Sequence, residues 1–147
     1  MTKLEMRNPK IELAPTGVRA PVRDFKDLDA WKLARTLRIL IYTLIKKLPA
    51  EERFALSSQL RRAVQSIGAN IAEGFGRYSY QENIQFCRQA RGSAYEVRDH
   101  LVTAADANFM SESECAEADS LAQRVIQVLN GYIRATAKKQ EESRKSS

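Results

Sequence analysis

The sequence is poor in residues that interrupt helices, with only four prolines and six glycines among its 147 residues. Three of the prolines fall within residues 1–23, and a fourth, Pro49, lies in a connection. Both residue types are unfavourable inside a helix, so their scarcity favours a mostly helical protein of one domain. No apolar run approaches the roughly 20 residues that cross a bilayer, and no membrane partner is expected.

Histidine and cysteine are also scarce. The single histidine, His100, excludes the di-iron site of helical bundles, which needs two Glu-x-x-His motifs. Cys87 and Cys115 lack C-x-x-C spacing, and no signal-peptide pattern is present, so we expect reduced, packed thiols in a cytoplasmic protein. A Ser-His-acid site built on Ser66 or Ser93 would need a strained turn and an oxyanion hole, which a mid-helix serine lacks. We therefore expect no enzyme, no cofactor and no metal.

Positive charge exceeds negative charge. Lysine and arginine total 24 against 18 acidic residues, a formal net charge of +6. Such a balance permits binding to nucleic acid or to an anionic membrane surface, but many proteins carry it only as a solubility feature. Composition alone leaves these alternatives open.

Apolar residues recur at three- and four-residue steps in four segments, which is typical of amphipathic helices. The first helix is expected to begin near Asp27 or Asp29, either of which can cap it, and to end at Pro49. Ser57, or a residue just before it, is expected to cap the second helix. Gly74 and Gly76 are expected to end that helix by allowing a left-handed residue after its last turn.

Two Ser-x-x-Glu patterns, at residues 79–82 and 111–114, are capping boxes that predict the starts of the third and fourth helices. The third helix is expected to run to about Ala107, because Asn108 tolerates a left-handed cap. Four such helices with short connections predict an all-α protein, an up-down-up-down antiparallel four-helix bundle.

The bundle is expected to occupy residues 24–139. Residues 1–23 show mixed charge and no sustained periodicity, and we expect a flexible arm there. From Lys138 onward the chain is charged and rich in serine, so we expect fraying, with residues 140–147 forming a flexible tail.

Polar residues form a ladder beside the apolar face of the second helix and a complementary stripe on the third. The ladder comprises Gln59, Arg62, Ser66, Asn70 and Glu73, and the stripe Glu82, Gln89, Ser93, Glu96 and His100. We expect a hydrogen-bonded network between helices or across subunits, with Arg62 pairing Glu96 or Glu73. Buried ion pairs of this kind more often fix register than add stability.

A second stripe on the third helix is basic: Arg88, Arg91, Tyr95 and Arg98 share one face. The arginine fork grips phosphate oxygens and tyrosine can stack or donate, which suits a nucleic acid. The alternative is a solvated face with Asp99 nearby for pairing. The candidate nucleic-acid contacts from charge placement are Lys32, Arg61, Arg77, Arg88, Arg91 and Arg98.

Four stretches carry a resemblance to a known family: Trp31–Ala34, Phe54–Ala63, Ser66–Gly74 and Gly92–Glu96. They resemble the 23S rRNA intervening sequence proteins, four-helix bundles also labelled S23 ribosomal proteins. The resemblance extends over roughly residues 25–134, and the Ser-Ile-x-x-Asn-Ile-Ala-Glu-Gly run is its most specific part.

The resemblance implies a homopentamer around a central channel. It also implies kinship to the accessory variability proteins of diversity-generating retroelements, basic pentamers that bind nucleic acid and a reverse transcriptase. On that basis Ser66, Asn70, Glu73 and Gly74 are architectural positions, and the family offers no catalytic residues to carry over. The leading hypothesis is a non-enzymatic, oligomeric protein that binds nucleic acid, RNA favoured. The alternative is a structural scaffold for a protein partner, with incidental basicity.

Overall fold

The computed structural model describes residues 20–147, which form four α-helices joined by short connections. These are α1 (Asp29–Ile45), α2 (Leu56–Phe75), α3 (Tyr80–Asp106) and α4 (Glu112–Lys145). Short 3-10 turns at Phe25–Asp27 and Ala50–Glu52 precede α1 and α2. No strand occurs in this part of the chain, and the predicted all-α class is confirmed. The flexible arm expected over residues 1–23 lies mostly outside the described residues.

Each helix packs against two others, in the cyclic order α1, α2, α3, α4 and back to α1. The core between them is built from the apolar faces that the periodicity predicted, with Leu37, Ile67, Val97 and Leu129 fully buried. Burying these side chains supplies most of the driving force for packing, since isolated helices of this length are marginal in water.

The contacts between neighbouring helices run in opposite order along the two partners. Arg98 of α3 contacts Asp119 early in α4, whereas Asn83 at the start of α3 contacts Tyr132 further along α4. This order is the one expected for neighbouring antiparallel helices.

Neither aspartate caps α1, contrary to expectation. The helix begins at Asp29 itself, and the cap position is Leu28, which has no side-chain oxygen. Asp27 belongs to the preceding turn, where its carboxylate accepts the backbone N–H groups of Arg23 and Asp24, each at 3.0 Å. These two bonds, led by that of Arg23, lower the pKa of Asp27.

The start of α2 also differs from the serine cap that was predicted. The cap position is Ala55, two residues before Ser57, and Ser57 itself lies buried within the helix. The Glu52 carboxylate reaches across the connection instead and accepts the backbone N–H of Leu56 at 3.1 Å. A carboxylate at this end of a helix satisfies a free donor and favours the helix dipole.

The two glycines at the end of α2 do not serve as left-handed caps. Gly74 lies inside the helix, and Gly76 caps it with φ −76°; no glycine in the described residues has a positive φ. Gly74 is needed for space, because a Cβ there would lie 2.8 Å from the Cβ of Phe86 and 2.9 Å from Oδ1 of Asn83. The expectation of a left-handed cap was wrong, and close contact between α2 and α3 is the reason for the glycine.

The predicted starts of α3 and α4 are confirmed. Ser79 Oγ accepts the N–H of Glu82 at 3.1 Å, and Ser111 Oγ accepts that of Glu114 at the same distance. In the second case the Glu114 carboxylate accepts the Ser111 N–H in return, completing a capping box. Asn108 has φ 58°, the left-handed conformation that was predicted after α3.

The C-terminal segment is helical almost to its end. α4 continues through Lys138 to Lys145, and of residues 140–147 only Ser146 and Ser147 lie outside it. The segment is rich in good helix formers, and Glu141 and Lys145 form an i, i+4 ion pair at 3.3 Å. Fraying from Lys138 is therefore not what the structure shows.

Candidate nucleic-acid interface

Positive charge is concentrated on the α1 and α2 side of the bundle. Residues 30–49 and 53–72, which span the bodies of these helices, contain eight basic residues and no acidic one. Residues 80–106 and 112–145, which form α3 and α4, contain nine basic residues and ten acidic ones. Four carboxylates flank the first two stretches, namely Asp29, Glu51, Glu52 and Glu73. The α1 and α2 side therefore carries a net positive charge, whereas the charges of α3 and α4 nearly balance.

One edge of α1 lies against α2. Trp31, Arg35, Arg38 and Tyr42 are spaced i, i+4, i+7 and i+11, so they share this edge. Trp31 lies beside Gly68 of α2, since a Cβ added at Gly68 would lie 3.6 Å from the indole nitrogen of Trp31.

The facing edge of α2 carries Arg61, Gln65 and Gly68, again at helical spacing. The Arg61 guanidinium carbon lies 5.0 Å from the centroid of the Tyr42 ring, and Gln65 donates a hydrogen bond to the Tyr42 hydroxyl. We call this set the α1–α2 seam: Trp31, Arg35, Arg38, Tyr42, Arg61, Gln65 and Gly68.

The seam arginines are available to a ligand. Arg35 and Arg61 are exposed and Arg38 is half-buried, and none of the three forms an ion pair with another described residue. Arg35 and Arg61 instead lie over the rings of Trp31, at 6.0 Å, and Tyr42. A cation over an aromatic face keeps its full charge while its orientation is restricted.

A groove of about 570 Å³ continues the seam at the connection between α1 and α2. Its polar and aromatic lining comprises Lys46, Arg53, Phe54, Ser57, Ser58 and Arg61, and its apolar lining comprises Ile45, Leu48, Pro49 and Ala50. No acidic residue lines it. The groove therefore extends the positive surface into a concave site.

Most arginines of the basic stripe predicted on α3 are bound by side chains of α4. Arg91 donates to Oδ1 of Asn130 at 2.8 Å, and Arg98 Nε donates to Oδ1 of Asp119 at 2.7 Å. Arg88 is exposed and has no such partner among the described residues. Two of the three stripe arginines therefore join helices, and only Arg88 is free to meet a ligand.

The Arg98–Asp119 ion pair makes the free energy of unfolding depend on pH in the acid range. Burial raises the pKa of Asp119, but hydrogen bonds from Arg98 and Gln123 outweigh it, and the pKa lies below its ordinary value. A carboxylate whose pKa is lowered by folding stabilises the folded protein at pH values above its ordinary pKa. That stabilisation is lost as pH falls through the pKa of the folded state. We expect Asp119→Asn to lower the free energy of unfolding by about 1 kcal/mol at pH 6.

Urea unfolding at pH 6 and pH 2.5 measures this. The difference between Asp119→Asn and the parent should shrink at the lower pH, because the parent carboxylate takes up a proton as pH falls through its lowered pKa. An equal difference at both pH values would contradict the role assigned to the ion pair.

The polar ladder forms a network between α2 and α3 within one chain. Asn70 Nδ2 donates to the Ser66 carbonyl at 2.8 Å and to its Oγ at 2.9 Å. Ser93 Oγ donates to the same Ser66 Oγ at 2.9 Å. Three predicted network positions, Ser66, Asn70 and Ser93, therefore meet at the interface between these helices.

The charged members of the ladder pair along their own helices instead. Glu73 binds Arg77 at 2.9 Å, and Glu96 approaches His100 at 3.3 Å. Arg62 is exposed and pairs with neither glutamate in the described chain, and a pair across subunits stays a prediction. Each glutamate instead meets a partner one turn along its own helix.

A comparison with protein families decides where the chain belongs. Residues 26–131 match the family model described as 23S rRNA-intervening sequence protein. The chain belongs to this family. A search of curated proteins found no match.

A solved structure has a similar fold. It is the crystal structure of a protein of unknown function from the S23 ribosomal protein family of Bacteroides thetaiotaomicron, 23% identical in sequence. The match covers 71% of this chain and 97% of that one, with a TM-score of 0.66. At this identity the likeness establishes the shared fold.

Within this 23S rRNA-intervening sequence protein, the predicted contact residues lie on different surfaces. Lys32 and Arg61 belong to the α1 and α2 side, with Lys32 exposed on α1 beside the seam. Arg77 is paired with Glu73 at the end of α2, and its guanidinium carbon lies 5.0 Å from the Phe86 ring centroid. Arg88, Arg91 and Arg98 lie on α3, as described above.

Sequence reasoning missed Arg35, Arg38 and Tyr42. The signal for them was present in the helical spacing that they share with Trp31, and in the lack of acidic residues from 30 to 49. Among the described residues, no group of three or more acidic, histidine or cysteine side chains could hold a metal ion. Nor does any helix of residues 20–147 have the length and apolarity to cross a bilayer.

Proposed function

We propose that this 23S rRNA-intervening sequence protein is a non-enzymatic protein that binds nucleic acid, RNA favoured, through the α1–α2 seam. The observation that carries the proposal is the excess of positive charge along two adjacent helices: residues 29–75 hold eight basic residues against four acidic ones, and of the eight only Lys47 forms an ion pair with another described residue. Lysine and arginine that neutralise phosphates release condensed counterions, which drives binding without reading sequence. The aromatic rings between the arginines hold them in place along the surface.

The contact residues of the proposal follow from which cations lack an acidic partner. Lys32 and Arg61 remain contacts, and Arg35 and Arg38 join them; Arg88 is a separate, peripheral contact. Arg77, Arg91 and Arg98 hold other side chains of the bundle, so in this proposal they support the fold rather than the ligand. Binding is accordingly electrostatic and shape-led.

The proposal includes assembly. We propose an up-down-up-down antiparallel bundle, which the order of contacts between α3 and α4 supports, and its assembly into a homopentamer, which the family resemblance implies. Five copies would repeat the basic seam and raise avidity for a long polyanion without any new contact. Native mass spectrometry tests this, and a monomer at micromolar concentration would contradict it.

Binding isotherms on the nuclease-treated protein test the function. RNA affinity is expected to fall steeply between 0.05 and 0.3 M salt, and to be similar for unrelated sequences, because phosphates supply the contacts. Labelled RNA followed by fluorescence anisotropy gives both the affinity and its salt slope. Absence of binding at 0.05 M salt would overturn the proposal.

A protein scaffold remains the second candidate, for which the resemblance suggests a partner such as a reverse transcriptase. The observation that favours it is the pair Tyr78 and Tyr80 at the connection between α2 and α3, the first fully exposed and the second 42% exposed. Aromatic side chains are enriched at protein interfaces. The absorbance ratio of the purified protein separates the two, since a nucleic-acid binder retains host nucleic acid.

A further inference from the structure

We propose that the groove at the connection between α1 and α2 holds unpaired nucleotides, so that the protein binds single-stranded nucleic acid in preference to a duplex. This inference rests on the proposed function, because it assigns a specific task to one end of the same basic surface. It goes further in naming the ligand: a single strand whose bases are free to stack.

Phe54 is the side chain that points to bases. It is 87% exposed, although it is a large apolar residue, and it lies in the lining of the groove. The Arg53 guanidinium carbon sits 5.3 Å from the ring centroid, and the rest of the ring lies in solvent. Successive bases stack on such rings in proteins that bind single strands, and a neighbouring arginine strengthens the stack.

The rest of the groove fits the sugar-phosphate chain. Lys46, Arg53 and Arg61 supply cations to the lining, and Ser57 and Ser58 supply hydroxyl groups. The volume of about 570 Å³ falls in the range of small-molecule sites. A strand could therefore place a base on Phe54 while its phosphates meet Lys46 and Arg61.

The charge of the groove selects an anionic occupant. No acidic side chain lines it; of the two carboxylates in the connection, Glu51 is exposed and Glu52 accepts the backbone N–H of Leu56. A duplex satisfies the cations but not Phe54, because its bases are paired and stacked inside the helix. Only an unpaired strand presents both phosphates and free base faces.

Anisotropy titrations with a 15-nucleotide oligouridine, an oligothymidine of equal length and a 15-base-pair RNA duplex test the inference. The parent protein should bind the single strands more tightly than the duplex. Phe54→Ala should weaken single-strand binding about tenfold and duplex binding less than twofold. The side chain is almost fully exposed, so the variant should keep the parent fold. Tighter binding of the oligouridine would identify the ligand as RNA, and tighter binding of the oligothymidine would identify it as single-stranded DNA.

Two further variants separate stacking from other effects. Phe54→Trp should retain affinity, and its added fluorescence should be quenched when the single strand binds, beyond any change of Trp31 in the parent. Tyr78→Ala removes an exposed aromatic ring from another connection and should bind all three ligands as the parent does.

The inference and the proposed function fail in different ways. If Phe54→Ala binds single strands as tightly as the parent, or the parent binds duplex at least as tightly, the groove assignment is overturned while salt-dependent binding still supports the seam. If the parent protein binds none of the three ligands at low salt, the proposed function fails and the inference fails with it.

Discussion

Replacing Arg35, Arg38 and Arg61 together with alanine is expected to weaken RNA binding about 100-fold at 0.1 M salt. Each phosphate contact adds about 0.7 to the slope of log affinity against log salt for a single strand, so three lost contacts lower the slope by about two. If parent and variant bind alike near 1 M salt, where the electrostatic contribution vanishes, two units of slope amount to about 100-fold at 0.1 M. Anisotropy isotherms at four salt concentrations measure slope and affinity together.

The matched control removes the same charge from another face. Arg124, Arg134 and Lys139 are exposed on α4, where acidic residues are interspersed, and their joint replacement with alanine should change the slope by less than one. Equal losses in the two triple variants would mean that binding follows net charge, and the seam would not be a contact surface. The seam arginines form no ion pairs with other residues of the part described, 20–147, so thermal unfolding should differ little between the variants.

The sequence predicted well what depends on one helix at a time. Apolar spacing identified the buried faces, and the Ser-x-x-Glu pattern located the starts of α3 and α4, because a capping box is satisfied within four residues. The contact that satisfies the start of α2 was missed, because Glu52 at the end of the 3-10 turn accepts the N–H of Leu56, and nothing in the sequence distinguishes Glu52 from its neighbour Glu51.

To predict the candidate site, one must know which residues of the neighbouring helices face each helix. Arg88, Arg91 and Arg98 share a face, as spacing predicted, but Asn130 and Asp119 of α4 meet two of them. Helical periodicity places residues on a face and does not say which element covers that face. A survey of acidic residues along whole helices would have favoured α1 and α2, which contain one each, because negative charge can be counted without knowing the packing.

Gly74 shows the same ambiguity, since a glycine near a helix end can serve a left-handed cap or a close contact. The structure supports contact: a Cβ at Gly74 would lie 2.8 Å from the Cβ of Phe86 and 3.1 Å from the backbone oxygen of Asn83. Neither is the flexible end of a side chain, so α2 and α3 must separate to admit a methyl group. Separation would also disturb the bond from Asn83 to the Tyr132 hydroxyl, 2.9 Å long, which ties α3 to α4.

Gly74→Ala is therefore expected to lower the free energy of unfolding by about 1–3 kcal/mol, the usual range for overpacking a tight contact. Gly92→Ala is the matched control, because Gly92 is also helical but exposed, with nothing within 4 Å of an added Cβ. There the methyl group only restricts the unfolded chain and favours the helix, so stability should rise by about 0.5–1 kcal/mol. Urea unfolding with fitted slopes measures both changes, and the opposite signs distinguish the two roles of glycine. If both variants gain stability, Gly74 is not a contact point, and α2 and α3 approach each other less closely than the structure indicates.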